Sequence, residues 1–130
     1  MTAREVIRTD RAPRTGLPYA QAIRAGGLVF VAGQVALDPA TGKTVEGDVR
    51  VQTRRVLENV MAILEAAGTS LDRAVEAHCF LADIKRDFAA FNEAYREYFD
   101  DTGPGRTTVQ AALPRDGLLV EIRIVAAMPE

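Results

Sequence analysis

The chain of 130 residues contains no tryptophan, one cysteine and one histidine. Because Cys79 is alone, an internal disulfide bond is excluded, and we expect a buried, unreactive thiol in its apolar surroundings. His78 lies beside it, and one histidine with one cysteine cannot supply a four-ligand zinc site. Nothing around His78 resembles a serine-protease triad either. The composition therefore predicts neither a bound metal nor hydrolysis by a serine nucleophile.

The chain also lacks a large excess of charge of one sign and lacks long apolar runs. The formal net charge is −2 and no basic run is present, so we expect little attraction to nucleic acid. No apolar run approaches the length that spans a bilayer, and the N-terminal residues lack the apolar centre of a secretory signal. These features predict a cytoplasmic protein with neither a membrane nor a nucleic acid as partner.

The remaining composition is that of an ordinary folded protein, with 48% hydrophobic and 26% charged residues. The length predicts one domain over residues 1–130. Residue periodicity predicts helices over 48–67 and 83–100, and strands over 6–8, 19–24, 28–35, 74–82, 106–113 and 118–126. The element order β-β-β-α-β-α-β-β predicts an α+β fold, a two-layer domain in which two helices cover one face of a six-stranded sheet.

Two surfaces of the predicted fold carry apolar side chains that need partners. The second helix holds five of the eight aromatic residues of the chain at helical spacing, which favours core packing over a ligand-binding role. On the last strand, Leu119 and Val125 share the face turned away from the helices and are too apolar for a wet surface. Burial of that face between subunits predicts an oligomer.

Arg106 and Glu121 are the candidate functional residues. Arg106 opens a strand after a Gly-Pro-Gly turn, and its guanidinium can bind a small carboxylate through two parallel hydrogen bonds. Glu121 lies inside an apolar strand, where burial would raise its pKa and suit it to orient or deprotonate water. Thr108 shares a face with Arg106 and could bind a second group of a ligand. The alternative is structural: Arg106 stabilises a turn and Glu121 pairs with Arg123.

The sequence resembles the Rid (reactive intermediate deaminase, YjgF) family over almost its whole length. The resemblance rests on PYAQAIRAGGLVFVAGQ, QTRRVLENVMAILEAAG, DFAAFNEAYREYF and GPGRTTVQAALPRDGLLVEI, in that order and spacing. It implies a chorismate-mutase-like fold assembled as a homotrimer, with ligand clefts between subunits. It also implies hydrolysis of 2-imino and 2-enamino acids to 2-keto acids and ammonia, without a metal or organic cofactor.

The resemblance assigns roles to individual residues. Arg106 matches the arginine that binds the substrate carboxylate, Glu121 the glutamate that positions water, and Tyr19 a tyrosine that lines the cleft. Asn92 matches an asparagine that supports the site, and Gly33 a glycine whose backbone approaches the ligand. With Thr108 included, we expect Arg106, Glu121 and Tyr19 to be catalytic, and Arg106, Thr108, Gly33 and Asn92 to bind substrate.

The sequence departs from the archetypal members of the family at several of these motifs. Leu17 and Ala20 flank the Pro-Tyr pair where those members have glycine and serine, and Ala32 replaces a serine. Thr108 replaces a cysteine, and Arg123 replaces an acidic residue and could lower the pKa of Glu121 by pairing with it. These changes place the protein outside the archetypal subgroup and leave its preferred imino acid open. A non-catalytic trimer that binds small carboxylates or a partner is the alternative function, and the endoribonuclease activity attributed to some relatives is disfavoured by the acidic composition.

Overall fold

A seven-stranded mixed sheet carries two α-helices on one of its faces in the computed structural model, which describes residues 3–130. The strands are β1 (Glu5–Ile7), β2 (Ala22–Ala25), β3 (Leu28–Val31), β4 (Gln34–Val35), β5 (Ala74–Leu81), β6 (Gly105–Gln110) and β7 (Val120–Ala127). The helices are α1 (Val49–Ala67) and α2 (Ile84–Tyr95), and a single 3₁₀ turn, Leu71–Arg73, precedes β5. The predicted α+β two-layer fold is confirmed.

The strand order across the sheet is β1-β2-β3-β7-β5-β6, and β4 also pairs with β7. Strands β5 and β6 are parallel and the other pairs are antiparallel. The hairpin between β2 and β3 turns through Gly26 and Gly27, whose φ angles of 60° and 79° explain why two glycines stand there. Strand β6 therefore forms one edge of the sheet and β1 the other.

The prediction of six strands was wrong by one, because residues 28–35 form two strands instead of one. From Phe30 to Gln34 the chain advances four residues while its partner β7 advances only three, from Val125 to Ile122. This one-residue shift is a bulge in the pairing with β7, while the amide of Ala32 still donates to the carbonyl of Gln21 in register with β2. The bulge bends the chain at residues 32 and 33, directly beside Glu121.

Helix α1 agrees with its prediction and provides most of the second layer. Asp48 caps its N-terminus by accepting a hydrogen bond from the Val51 amide, and Gly68 ends it in the left-handed conformation with φ of 89°. Its apolar stripe is fully buried against the sheet and comprises Val56, Leu57, Val60, Ile63 and Leu64. The facing side of β7 is equally buried, with Val120, Ile122, Ile124 and Ala126.

Helix α2 is shorter than predicted and ends at Tyr95 instead of residue 100. The amides of Glu97 and Tyr98 donate to carbonyls only three residues back, which tightens the last turn and stops the helix. Phe99 is nevertheless buried, so the aromatic periodicity continued past the end of the helix. The prediction of core packing holds for Phe91, Tyr95 and Phe99, whereas Phe88 remains 42% exposed.

The sheet face turned away from the helices, here called the reverse face, carries both buried and exposed apolar side chains. Val125 is 7% exposed and already buried within one chain, between its cross-strand neighbours Phe30 and Glu76. Val109 on the edge strand β6 is 43% exposed. Val75 is half-exposed because β5 bulges between Ala74 and Glu76.

Candidate functional site

Arg106 follows Gly105 at the start of β6, and α2 supplies the groups around it. Its Nη1 donates to Oδ1 of Asn92 at 2.8 Å. No other protein atom among residues 3–130 accepts a hydrogen bond from the guanidinium, so Nε and Nη2 are available for a ligand. A guanidinium held at one nitrogen with two others available can bind a carboxylate through two parallel hydrogen bonds. The hydrogen bond to Asn92 orients the guanidinium, which is how a residue that supports the site would act.

Three aromatic rings of α2 lie beneath the guanidinium. The Arg106 Cζ atom is 4.8 Å from the ring centroid of Tyr95, 5.3 Å from that of Phe91 and 5.9 Å from that of Phe88. These cation–π contacts hold the charged group without using its hydrogen-bond donors. Sequence reasoning treated these rings as core alone and missed this role. The available signal was the helical spacing that places all three on the same side as Asn92.

Thr108 lies on the same side of the sheet as Arg106 and is paired with Cys79 of the neighbouring strand. Its hydroxyl and that of Tyr95 are buried and make no hydrogen bond of normal geometry within the described part of the chain. Burial raises the pKa of the Cys79 thiol to about 12, opposed by the charge of Arg106 and by the nearby Thr108 hydroxyl. Cys79 is therefore a buried, protonated thiol, in agreement with its prediction, and not a nucleophile.

Glu121 lies on the reverse face, opposite Phe80 of β5 and Val35 of β4. Its side chain is half-buried, and burial raises the pKa of its carboxyl above the ordinary value. The alternative that Glu121 pairs with Arg123 is wrong, as is the expected lowering of its pKa by Arg123: within residues 3–130 Glu121 forms no ion pair. The i,i+2 spacing does not itself prevent such a pair, since Glu76 and His78 of β5 approach to 3.1 Å; the Glu121 carboxylate instead points toward Gly33.

Gly33 creates the space that the Glu121 carboxylate occupies. A Cβ atom at position 33 would lie 2.4 Å from Oε2 of Glu121 and 3.0 Å from its carboxyl carbon. Every atom in that contact belongs to the flexible Glu121 side chain. The glycine therefore permits one orientation of the carboxylate without being needed for the backbone conformation.

Tyr19 lies in a bend before β2, since that strand starts at Ala22 and not at residue 19 as predicted. Its ring is 53% exposed, and its hydroxyl accepts a hydrogen bond from the Thr15 hydroxyl at 3.1 Å. Tyr19 and Gly33 line the same open cavity of about 590 Å³. The Tyr19 ring, the Gly33 backbone and the Glu121 carboxylate therefore lie on one side of the molecule.

The six predicted residues form two separate groups within one chain. Arg106, Asn92 and Thr108 lie on the helix side of the sheet, because Arg106 and Thr108 pair with the core residues Ala77 and Cys79. Glu121 projects from the other side of the sheet. Two strand spacings and three residue steps separate Arg106 from Glu121, which amounts to roughly 14 Å across the sheet. One chain therefore does not bring these two groups to a single small molecule.

We expect Gly33→Ala to fold normally and to lose the function of Glu121, because the new methyl group displaces the carboxylate and leaves the core untouched. Thermal unfolding should shift by no more than a few degrees, since only a surface side chain must move. Any activity that depends on Glu121 should fall by at least 10-fold. Gly42→Ala lies far from the carboxylate and, with its φ of 72°, places alanine in a strained conformation, so it controls for general destabilisation by a glycine substitution. Equal activity losses in the two variants would contradict the prediction.

Comparisons with known proteins agree with the fold described above. A family model described as Endoribonuclease L-PSP matches residues 9–128. The chain belongs to this family, the YjgF/Rid/RutC family, as its motifs predicted. The prediction of the family is therefore confirmed over nearly the full length of the chain.

Individual relatives are similar over their whole lengths. A RutC family protein of Pyrococcus abyssi is 48% identical, with 95% of this chain and 97% of that protein covered. A 2-iminobutanoate/2-iminopropanoate deaminase of Capra hircus is 40% identical over 95% of this chain and 89% of its own. The crystal structure of Escherichia coli TdcF with bound serine superposes with a TM-score of 0.88 at 38% identity, covering 96% of this chain and 99% of that one.

Two further observations concern the part of the chain that the structure describes. No three His, Cys, Asp or Glu side chains between residues 3 and 130 are grouped closely enough to ligate a metal ion. Neither α1 nor α2 combines the length and the apolar character of a membrane-crossing helix.

Proposed function

We propose that the protein hydrolyses 2-imino and 2-enamino acids to 2-keto acids and ammonia. The observation that carries this proposal is the Arg106 guanidinium, held by Asn92 and three rings with two nitrogens available for a substrate carboxylate. The half-buried Glu121 with its raised pKa is suited to accept a proton from water near neutral pH. Similarity to a relative named as an iminobutanoate deaminase supports this substrate class.

The reacting site takes Arg106 from one subunit and Glu121 from another. In a 2-imino acid the carboxylate and the imine carbon are bonded to each other, so their two binding groups must lie within a few ångströms of the same atoms. The separation of roughly 14 Å on opposite faces of one sheet does not allow this within a chain. In the homotrimer that the family resemblance implies, we expect the helix side of one sheet edge to lie against the reverse face of the next subunit, with the contact repeated three times.

The chemistry requires only water and one carboxylate. Arg106 binds the substrate carboxylate and so fixes the position of the carbon of the imine, whose nitrogen is protonated. Glu121 orients a water molecule and accepts its proton as the oxygen attacks that carbon. Glu121 then passes the proton to the amino nitrogen of the tetrahedral adduct. Collapse of the adduct to the keto acid breaks the carbon–nitrogen bond, releases ammonia and loses the hydroxyl proton to solvent.

The test is an assay in which an amino-acid oxidase generates the imino acid in place, with catalase present, while semicarbazide competes for it. The protein should divert imine from semicarbazone to keto acid in proportion to its concentration, above the hydrolysis that occurs without it. Imino acids with small, uncharged side chains are the first substrates to compare. No acceleration with any imino acid would exclude the hydrolase.

The second candidate function is a trimer that binds small carboxylates without turnover, and the same Arg106 site favours it. The serine bound in the TdcF structure is a carboxylate of the appropriate size. Calorimetry with 2-oxobutanoate separates the two functions when combined with the assay, since a binder shows affinity without acceleration. Sedimentation should report a trimer in both cases, and a stable monomer at micromolar concentration would exclude a site shared between subunits.

A further inference from the structure

Three arginines line the cavity that contains Tyr19 and Gly33. They are Arg4, Arg8 and Arg14, and no aspartate or glutamate among residues 3–130 lines the same cavity. The chain as a whole carries a net charge of −2, so a general excess of basic residues does not explain this concentration. We refer to it as the arginine cavity.

The strand pattern directs one of these residues, Arg8, to the reverse face. Ile7 of β1 is buried in the core, so the flanking Arg8 projects to the opposite side, the same side as Glu121. Within residues 3–130, neither Arg4 nor Arg8 forms an ion pair, while Arg14 pairs with the exposed Asp10 at 2.9 Å. Guanidinium groups that converge on one cavity repel each other, and an anion bound among them removes that repulsion.

We propose that the arginine cavity binds a second anionic group of the substrate, so that the preferred substrates are 2-imino acids whose side chain ends in a carboxylate. This inference rests on the proposed function, because Arg106 and Glu121 then fix the carboxylate and the imine carbon. The substituent on that carbon extends past Gly33 into the cavity. A volume of about 590 Å³ accommodates a side chain of two or three carbons with a terminal carboxylate.

The motifs quoted above for the family resemblance do not include these arginines. They lie in AREVIRTDRAPRTG, before the Pro-Tyr pair that carries the resemblance. The catalytic groups could therefore operate on neutral imines without Arg8, whereas discrimination between neutral and anionic side chains would depend on it. This division makes the inference testable separately from catalysis.

The experiment compares the wild type with Arg8→Gln, Arg8→Lys and the double variant Arg8→Gln/Arg14→Gln. Imines are generated in place from a neutral aliphatic and an acidic amino acid, and the ratio of the two kcat/KM values is measured. Loss of one charge-assisted hydrogen bond should lower kcat/KM for the anionic imine by roughly 10- to 100-fold in Arg8→Gln. The value for the neutral imine should change less than about 3-fold, and Arg8→Lys should restore part of the ratio.

Binding supplies a measurement that does not depend on turnover. In calorimetry, Arg8→Gln should weaken the binding of 2-oxoglutarate and leave the affinity for 2-oxobutanoate nearly unchanged. Arg73→Gln, at an exposed arginine in the 3₁₀ turn that forms no ion pair with any residue from 3 to 130, is the matched control for the loss of one positive charge.

The two proposals fail in different ways. If imines with neutral side chains are hydrolysed, but the ratio of the two kcat/KM values is the same in the wild type and the double variant, the anionic subsite is overturned and the proposed function stands. Absence of hydrolysis with every imine would overturn the proposed function, while a selective loss of 2-oxoglutarate binding in Arg8→Gln would still support the second anionic subsite. Equal affinities for both keto acids in wild type and variants would overturn the subsite whatever the activity.

Discussion

Glu121→Gln is expected to lower turnover of 2-imino acids by roughly 100- to 10,000-fold, the usual contribution of a positioned general base. Glutamine keeps the size and the hydrogen-bonding capacity of the side chain but cannot accept a proton from water. Binding of 2-keto acids should remain nearly normal, because their carboxylate is held by Arg106. The measurement is kcat by the semicarbazide competition assay, with spontaneous hydrolysis subtracted, together with calorimetry on the same preparations.

The pH dependence of the wild type follows from the raised pKa of Glu121. The carboxylate form is the base, so activity should be lost as the pH falls through that pKa, at a higher pH than an ordinary glutamate would give. The residual rate of Glu121→Gln should lack this acidic limb. A Gln variant that binds normally and turns over at the wild-type rate would contradict the role of Glu121 as base and favour the binding function.

The raised pKa of Glu121 should also make the stability of the folded protein depend on pH, in the opposite direction to the activity. Between the unfolded pKa, near 4.5, and the higher folded pKa, the folded chain binds more protons than the unfolded chain. The free energy of unfolding of the wild type therefore receives a falling contribution from Glu121 as the pH rises through this window. Glu121→Gln should be as stable as the wild type below the window and more stable above it, as thermal unfolding can measure.

Arg106→Ala is expected to abolish detectable binding of 2-keto acids. Loss of a desolvated, doubly hydrogen-bonded contact to a carboxylate costs on the order of 2–5 kcal/mol, which weakens affinity by roughly 30- to 5,000-fold. Arg106→Lys keeps the charge but not the planar pair of donors, so it should recover only part of the affinity. Unchanged affinity in Arg106→Ala would place the carboxylate site elsewhere.

A mixture of two inactive variants should regain activity. If Arg106 and Glu121 of one site come from different subunits, a trimer that contains both Arg106→Ala and Glu121→Gln chains has sites with both wild-type residues. Random assembly of equal amounts places such pairs at about a quarter of the sites. The variants would be co-expressed or refolded together, and the activity compared with that of each variant alone.

The outcome of mixing is informative in both directions. Recovery toward a quarter of the wild-type rate supports a site shared between subunits. No recovery, in trimers shown by two affinity tags to contain both chains, would mean that the two residues act within one chain or not together. Thr108→Ala mixed with Glu121→Gln is a control for general effects of mixing, and Thr108→Ala alone should keep most of its activity.

Much of the fold follows from the sequence because the local patterns are strong. The stripe of α1, its Asp48 cap and its terminal Gly68 fix one helix, and the alternation of Val120, Ile122 and Ile124 fixes the central strand. These features depend on neighbours within a few residues, so periodicity predicts them. The family itself followed from motifs in their order along the chain, and these also supplied the candidate residues.

The tertiary structure decided what depends on pairing between distant segments. The bulge at residues 32 and 33 arises because β3 and β4 pair with β7 in different registers, and no local pattern contains that shift. The rings under Arg106 come from a helix whose closest member, Tyr95, is eleven positions away in the chain, so their cation–π role emerges only after α2 packs beside β6. Sequence also could not exclude pairing of Glu121 with Arg123, whereas the structure turns the Glu121 carboxylate toward Gly33 of the neighbouring chain segment.

The sequence alone predicted which residues act on a substrate, because Arg106 and Glu121 stand out by type and context and match the motifs of the family. Only the tertiary structure decided that they lie on opposite faces of one sheet. The physical reason is the pleat: the parity of a residue along its strand, and the register of that strand with its neighbour, together select its face. A one-residue change of register would have placed both groups on one side, and register is a property of the assembled sheet.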